Sequence, residues 1–431
     1  MLLIKNGTVI DPAQDINEEL DILVIDGKIA EIGKELKADP KAQVIDAKGK
    51  IVCPGFIDTH VHLREPGFEY KEDIASGTRA AAAGGFTSVC CMPNTSPVLD
   101  NAALIAYVRN QAKLCGVVNV FPLGAISKQE AGKELADIGS MVAAGCVAVS
   151  DDGQPLADSR LMQNAMDYAG MFGLAIASHC EEKSLSEGGQ MREGYYSALF
   201  GLPGIPAAAE EVMVARDLIL AEATGAHIHI CHISSHRTVE MIKAARAKGV
   251  DVTCEVTPHH LILTDAAIEG FNTFGKVNPP LGTAEDREAL REALADGTID
   301  CIATDHAPHH MESKECEFGS ASFGISGLET AVALIIDQLV KPGLLSLEEM
   351  VDRFSFGPAQ AFGLNRGSLE PGEIADITLL DLQVTKTVDR NTFYSKGKNT
   401  PFDGMSLTGW PCMTIVAGEI VAQDGKILKE W

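Results

Sequence analysis

The chain has 431 residues, 46% of them hydrophobic and 22% charged, and a net charge of −25 at pH 7. That length can bury a sizeable core, enough for one large domain and a smaller one, while the acidic balance argues against nonspecific binding to nucleic acid or to an anionic membrane surface. With no run of about twenty uncharged apolar residues, a first apolar segment too short for a signal peptide, and eleven cysteines without a C-x-x-C pair, the expectation is a globular cytoplasmic protein with its thiols reduced.

In chain order, residues 1–53 read as short strands with tight turns. Asn6-Gly7 and Asp26-Gly27 are hairpin signals, and Lys48-Gly49-Lys50 is a further turn between apolar runs. Next comes Gly55-Phe56-Ile57-Asp58-Thr59-His60-Val61-His62-Leu63-Arg64. Side chains alternate along a strand, so His60, His62 and Arg64 share a face while Ile57, Thr59, Val61 and Leu63 cover the apolar side. Two imidazoles on one face are costly unless something binds them. A divalent metal is the favoured occupant, and a pair of satisfied structural histidines is the alternative.

Strand patterns then recur at 57–63, 87–93, 119–126, 146–152, 174–180, 227–234, 251–258 and 300–307. Between them lie amphipathic helical patterns such as 71–83, 101–114, 208–223 and 285–295. Eight strands alternating with helices predict an α/β chain whose residues 54–362 form a (β/α)8 TIM barrel. The C-terminal part is β-rich again, with Asp424-Gly425 as a turn, so 1–53 and 363–431 are expected to combine into a small β-sandwich domain. Longer segments at 182–206 and 307–328 follow the fifth and eighth strands and are candidates to cover a substrate.

The C-terminal ends of barrel strands open onto one mouth. There the sequence places His60 and His62, Asp151-Asp152, His179, His232 and Asp305. Four histidines with two carboxylates exceed what one zinc needs and suit a two-metal site with a bridging ligand. Small residues share a face with Asp152 (Cys146, Ala148, Ser150), with His179 (Ala175, Ala177) and with Asp305 (Cys301, Ala303). A small face suits a crowded barrel interior, so Asp152 is favoured over Asp151. On the sixth strand Ile228, Ile230 and His232 share a face, which leaves His227 and His229 structural or outward. No parity argument separates His259 from His260, and both read as structural.

Gly55 to Gly67 resembles the signature of dihydroorotases within the amidohydrolase superfamily. Ala303-Thr304-Asp305-His306-Ala307-Pro308-His309, Met92-Pro93-Asn94-Thr95 and Val277-Asn278-Pro279-Pro280-Leu281 are similar to further motifs of that family. The likeness spans almost the whole chain and is nearest the class I type. It implies two zinc ions and the reversible cyclisation of N-carbamoyl-L-aspartate to dihydroorotate in pyrimidine synthesis, with a zinc-bridging hydroxide and Asp305 as general acid and base. Carried over residue by residue, it puts His60 and His62 on one zinc and His179 and His232 on the other, with Asp152 bridging and Asp305 metal-bound. His62, Arg64, Asn94, Asn278, His309 and the Phe323-Gly324 backbone would bind substrate. Many superfamily members bridge their metals with a strand-four lysine; residues 141–153 contain none. The resemblance leaves room for a homodimer and for association with aspartate transcarbamoylase. Two alternatives stay open: a related cyclic amide hydrolase (allantoinase, hydantoinase, dihydropyrimidinase), and a non-catalytic scaffold of aspartate transcarbamoylase.

Overall fold

Residues 1–37 and 39–429 are described by the computed structural model. Eight short parallel strands occupy its middle: Phe56–Val61, Phe86–Cys91, Asn119–Pro122, Ala148–Val149, Ala175–Ser178, Ile228–Ile230, Val252–Val256 and Cys301–Ile302. The first three are hydrogen-bonded side by side, as are the last five. Single bridges from Gly124 to Val149 and from Val61 to His306 join the two sets into a closed ring. This is the (β/α)8 TIM barrel.

Two apolar layers follow from the alternation of side chains. Cys90, Met92, Leu123, Ala148, Ala175, Ala177, Cys231 and Cys301 form one buried cluster drawn from six strands, which only the barrel interior can assemble. Its members are mostly small because eight strands enclose just enough space for side chains. The opposite faces, including Val89, Val149, Ile176, Ile228, Ile230, Val252 and Ile302, pack against Ile105, Met162, Met166, Val214 and Leu290 of the surrounding helices. Those helices start where their caps dictate. Asp73 and Ser76 form a capping box that sets the start of Ile74–Ala83, three residues later than the pattern suggests. Asn101 accepts from the Ala103 and Leu104 amides ahead of Ala102–Cys115.

Strands from both ends of the chain make a separate nine-stranded sheet. The two ends meet where Ile51–Pro54 pairs antiparallel with Ile377–Leu380, over a core that includes Ile4, Val9, Ile22, Val24, Leu379 and Ile415. The Thr378 hydroxyl donates to Gly85 O (2.7 Å), and the Phe56 amide donates to the same hydroxyl (3.3 Å), so the sheet is fastened to the start of the first barrel strand. Asp26-Gly27 is the hairpin turn between Ile16–Ile25 and Lys28–Gly33. Asn6-Gly7 is not a hairpin: it is an irregularity inside the continuous strand Leu2–Asp11. Asn6 takes a positive φ of 62°, and Gly7 is pressed against Val52 and Ala47 so closely that a Cβ would lie 2.5 Å from Val52 Cγ2. Among the described residues no helix is long and apolar enough to cross a membrane, and all eleven cysteines are free thiols.

Candidate metal centre and substrate pocket

The barrel strands are short, and the polar residues at the mouth lie one to three positions beyond their ends: His62, Asp152, His179, His232 and Asp305. Arg64, His232 and Asp305 have φ of 61°, 33° and 45°. Left-handed backbone is unfavourable for such residues and is held only where surrounding structure imposes it, commonly at functional sites. This turn corrects the parity argument for the sixth strand. Ile228 and Ile230 face the helices and Cys231 faces the interior. His232 reaches the centre because the strand has ended and the chain turns there, not because it shares a face with the isoleucines.

Asp152 sits amid the four histidines. Its Oδ1 is 3.4 Å from His60 Nε2, 3.5 Å from His179 Nδ1 and 3.7 Å from His232 Nε2, and its Oδ2 is 3.6 Å from His62 Nε2. Asp305 Oδ1 lies 3.0 Å from His62 Nε2 and 3.6 Å from His60 Nε2, and His179 Nδ1 is 2.9 Å from His232 Nε2. Asp151 points elsewhere, accepting from the Ile126 and Ser127 amides (2.8 and 3.0 Å) and the Ser127 hydroxyl.

Whether these residues fit a metal can be judged from their hydrogen bonds. His60 Nδ1 donates to Glu255 Oε1 (2.7 Å), His179 Nε2 to Glu181 Oε2 (3.0 Å) and His62 Nδ1 to Asn94 Oδ1 (3.0 Å). With one ring nitrogen of each of these three committed as donor, the inward nitrogen either carries a lone pair or holds a second proton. Against the penalty of burial, the neighbouring carboxylates favour the proton, raising His60 well above its ordinary value and His179 to about 9. Four imidazoles and two carboxylates therefore converge at about 3–3.7 Å, a set that needs positive charge between its members, carried by those protons or, in their place, by bound cations. Ligands around a tetrahedral zinc at about 2.0–2.1 Å stand about 3.3–3.4 Å apart, the range seen here. His60 Nε2 and Asp152 Oδ1 are buried and make no hydrogen bond. The donor set fits divalent metal, and His60, His62 and Asp305, and separately His60, Asp152 and His232, each form a group able to hold an ion. Burial by itself raises the carboxyl of Asp305, but the His62 hydrogen bond and the charge on His60 bring it down to about 2. Against the same burial, the charge on His60 and the hydrogen bonds from His179 and His232 hold Asp152 well below the usual range.

A cavity of about 220 Å³ opens above these ligands, lined among others by Arg64, Asn94, Asn278, His309, Phe323 and Gly324. Arg64 is half-buried in the mouth, donating weakly to Pro308 O (3.4 Å) and approaching His309 Nε2 (3.5 Å). Burial draws its guanidinium down to about 10. Burial and the adjacent Arg64 charge together push the His309 ring to about 2, so this imidazole is neutral, and its Nδ1 has no hydrogen-bond partner. Two asparagines are already engaged: Asn94 Nδ2 reaches Asp152 Oδ2 (3.2 Å), and Asn278 Nδ2 donates to Glu181 Oε2 (3.1 Å).

Glu255 and Glu181 are absent from the residues that sequence reasoning selects. Glu255 is fully buried and accepts from His60, His229 Nε2 (3.1 Å) and the Thr59 hydroxyl. Thr59 therefore does not join the apolar face, because the first strand loses regular register between Asp58 and Val61. His229 and His260 are structural and bonded, His260 to Thr257 Oγ1 (2.8 Å) and Pro279 O (3.0 Å). The available signal for Glu255 was a lone carboxylate inside the apolar run Val252–Val256.

Comparison with known proteins agrees with this geometry. A family profile described as dihydro-orotase-like matches residues 49–238. A dihydroorotase from Pelotomaculum thermopropionicum is 55% identical over 423 residues, covering 98% of this chain and 99% of the relative. One from Acetivibrio thermocellus is 52% identical over 427 residues, covering 99% and 100%. Among solved structures, the L-hydantoinase (dihydropyrimidinase) of Arthrobacter aurescens superposes with a TM-score of 0.91 at 30% identity, covering 100% of this chain and 97% of that one.

Proposed function

The chain belongs to the dihydroorotase family, and on that premise we propose that it interconverts N-carbamoyl-L-aspartate and dihydroorotate at a centre of two zinc ions. The observation that carries this reading is Asp152 between two histidine pairs, with the Arg64 guanidinium facing the cavity beside them.

His60 and His62 would hold one ion, His179 and His232 the other, with Asp152 shared and Asp305 completing the set. Bound there, zinc supplies a Lewis acid for the ring carbonyl and lowers the pKa of water. The remaining work falls to the protein. Arg64 pairs the substrate carboxylate with its planar fork, and neutral His309 presents a ring nitrogen next to it. Asn94 and Asn278 orient the amide edge while steadying Asp152 and Glu181. In hydrolysis, Asp305 takes the proton from the attacking water and returns it to the departing ring nitrogen. In cyclisation it removes the proton from the carbamoyl nitrogen as the C–N bond forms and delivers it to the departing hydroxyl of the protonated side-chain carboxyl, which leaves as water.

Hydantoinases share the fold, so the ring is the point of competition. Support for dihydroorotate comes from Arg64, which suits an acidic ring, and from Asp152 at the strand-four position where lysine is absent. The full set of converging histidines speaks against a metal-free scaffold. Free thiols and the absence of a membrane-crossing helix among the described residues support a reducing cytoplasm as its location. The test is turnover by the zinc-loaded protein. Cyclisation of carbamoyl aspartate is expected, with hydantoin and dihydrouracil turned over far more slowly; the reverse order overturns the reading.

A further inference from the structure

Two buried lysines take no part in the chemistry above. Lys314 belongs to the segment after the eighth barrel strand, and its side chain is wholly buried. Its ammonium donates to three main-chain carbonyls: Ser322 O (2.8 Å), Gly324 O (3.1 Å) and Lys276 O (3.2 Å). Lys276, 2% exposed, donates to Phe318 O (2.6 Å) and Gly319 O (3.2 Å), and its Nζ is 4.6 Å from the centre of the Phe323 ring. Burial, and after it the Lys276 charge, draws Lys314 down to about 7, with only Cys316 opposing and no carboxylate among the groups acting on it, so the three-proton form is the one present below that pH. Burying an unpaired ammonium is costly, and an apolar side chain would fill the space at lower cost. What an apolar chain cannot do is satisfy three carbonyls with three protons. The ammonium therefore specifies one path of the main chain.

That path is the wall of the cavity. The carbonyl of Gly324 accepts from both Lys314 Nζ and Asn399 Nδ2 (3.0 Å), and its amide donates to Lys276 O (2.9 Å). Gly324 has φ of 136°, and a Cβ there would meet Ala307 Cβ and O at 2.8 Å. Asn399 also accepts from the His309 amide (2.9 Å). Phe323, Gly324 and His309 all line the cavity above the metal ligands.

We propose that Lys314 is a positioning residue for substrate: its ammonium, locked in turn against Lys276, holds the 322–324 main chain as the wall that receives the substrate ring. The inference rests on the reading of this cavity as the dihydroorotate site. A fixed wall touches the ring equally in the ground and transition states, so its loss weakens uniform binding. In the full-length, zinc-loaded protein, Lys314→Met should raise KM for dihydroorotate about tenfold or more, as expected when hydrogen bonds from a charged donor are lost. It should leave kcat nearly unchanged, leave the zinc content unchanged and speed amide hydrogen exchange across 318–326. Lys276→Met should shift KM the same way and serves if Lys314→Met does not fold. A folded Lys314→Met with wild-type KM, or with kcat lowered and KM unchanged, overturns the proposal. A wild type that ignores dihydroorotate while exchange protection of 318–326 still depends on Lys314 overturns the substrate reading and with it the assigned role in substrate binding.

Discussion

Glu255 offers the sharpest test of how the barrel floor sets up the metal centre. Its carboxylate accepts from His60 Nδ1, His229 Nε2 and the Thr59 hydroxyl and is out of reach of solvent. In Glu255→Gln the amide oxygen can keep the His60 bond while the amide nitrogen donates to His229. His229 can change tautomer because the Thr253 hydroxyl at 2.8 Å from its Nδ1 either accepts or donates. The charge assistance is lost and the Thr59 hydroxyl must turn from donor to acceptor, so zinc affinity should fall about tenfold, the lower end for a residue that orients a metal-bound histidine. Glu255→Leu leaves the His60 Nδ1 proton without an acceptor in a dry site and no longer fixes which nitrogen faces inward. Affinity should then fall about a hundredfold, roughly 2.7 kcal/mol. Glu181 plays the corresponding part for His179, but it is 8% exposed and shared with Lys183, so water can replace it and Glu181→Gln should cost less than Glu255→Leu. Competition with a chromophoric chelator measures all three, with melting of the metal-free proteins as the control for folding. Glu255→Leu with wild-type zinc affinity, or Glu181→Gln as the most severe of the three, refutes the reasoning.

Other expectations are simpler to state. Asp305→Asn should lower kcat by about 10²- to 10⁴-fold, the usual contribution of a general acid–base group, when rates are expressed per metal-loaded site. Arg64→Lys replaces a planar fork by a point charge, so steady-state kinetics should show KM for both acidic substrates rising about tenfold with kcat affected less. Burial raises the Glu329 carboxyl to about 7 despite the amides of Tyr394 and Ser395 donating to it. The native state therefore keeps a proton that the unfolded chain releases at its ordinary value near 4.5. Stability from this group is complete below that value and is lost as pH rises to about 7. Urea unfolding at pH 5 and pH 8 should show that loss shrinking in Glu329→Gln, and an identical pH dependence in both proteins would refute it.

Much of this protein was written locally. The period-two and helical patterns gave eight strands in order, and the polar residues at strand termini gave the cluster of candidate metal ligands, because a barrel brings those ends to one rim. Parity selected Asp152 from its neighbour although strand four ends at Val149, and Cys146, read as sharing the interior face, packs with the helices. Strand six likewise ends before His232, which is aimed by a left-handed turn. Asn6-Gly7 carried hairpin chemistry into the middle of a strand, since a bulge and a turn ask the same of the backbone. No local pattern assigned a partner to Glu255, visible only as a lone carboxylate in a strand, or to Lys314. A buried carboxylate or ammonium is tolerated only beside partners that the packed fold supplies, His60 from 195 residues away for Glu255 and the carbonyls of a folded-back loop for Lys314. The sequence alone therefore determined which groups could do chemistry, and the tertiary structure decided which tautomer, wall and orientation those groups are held in, because hydrogen-bond partners are a property of the packed fold.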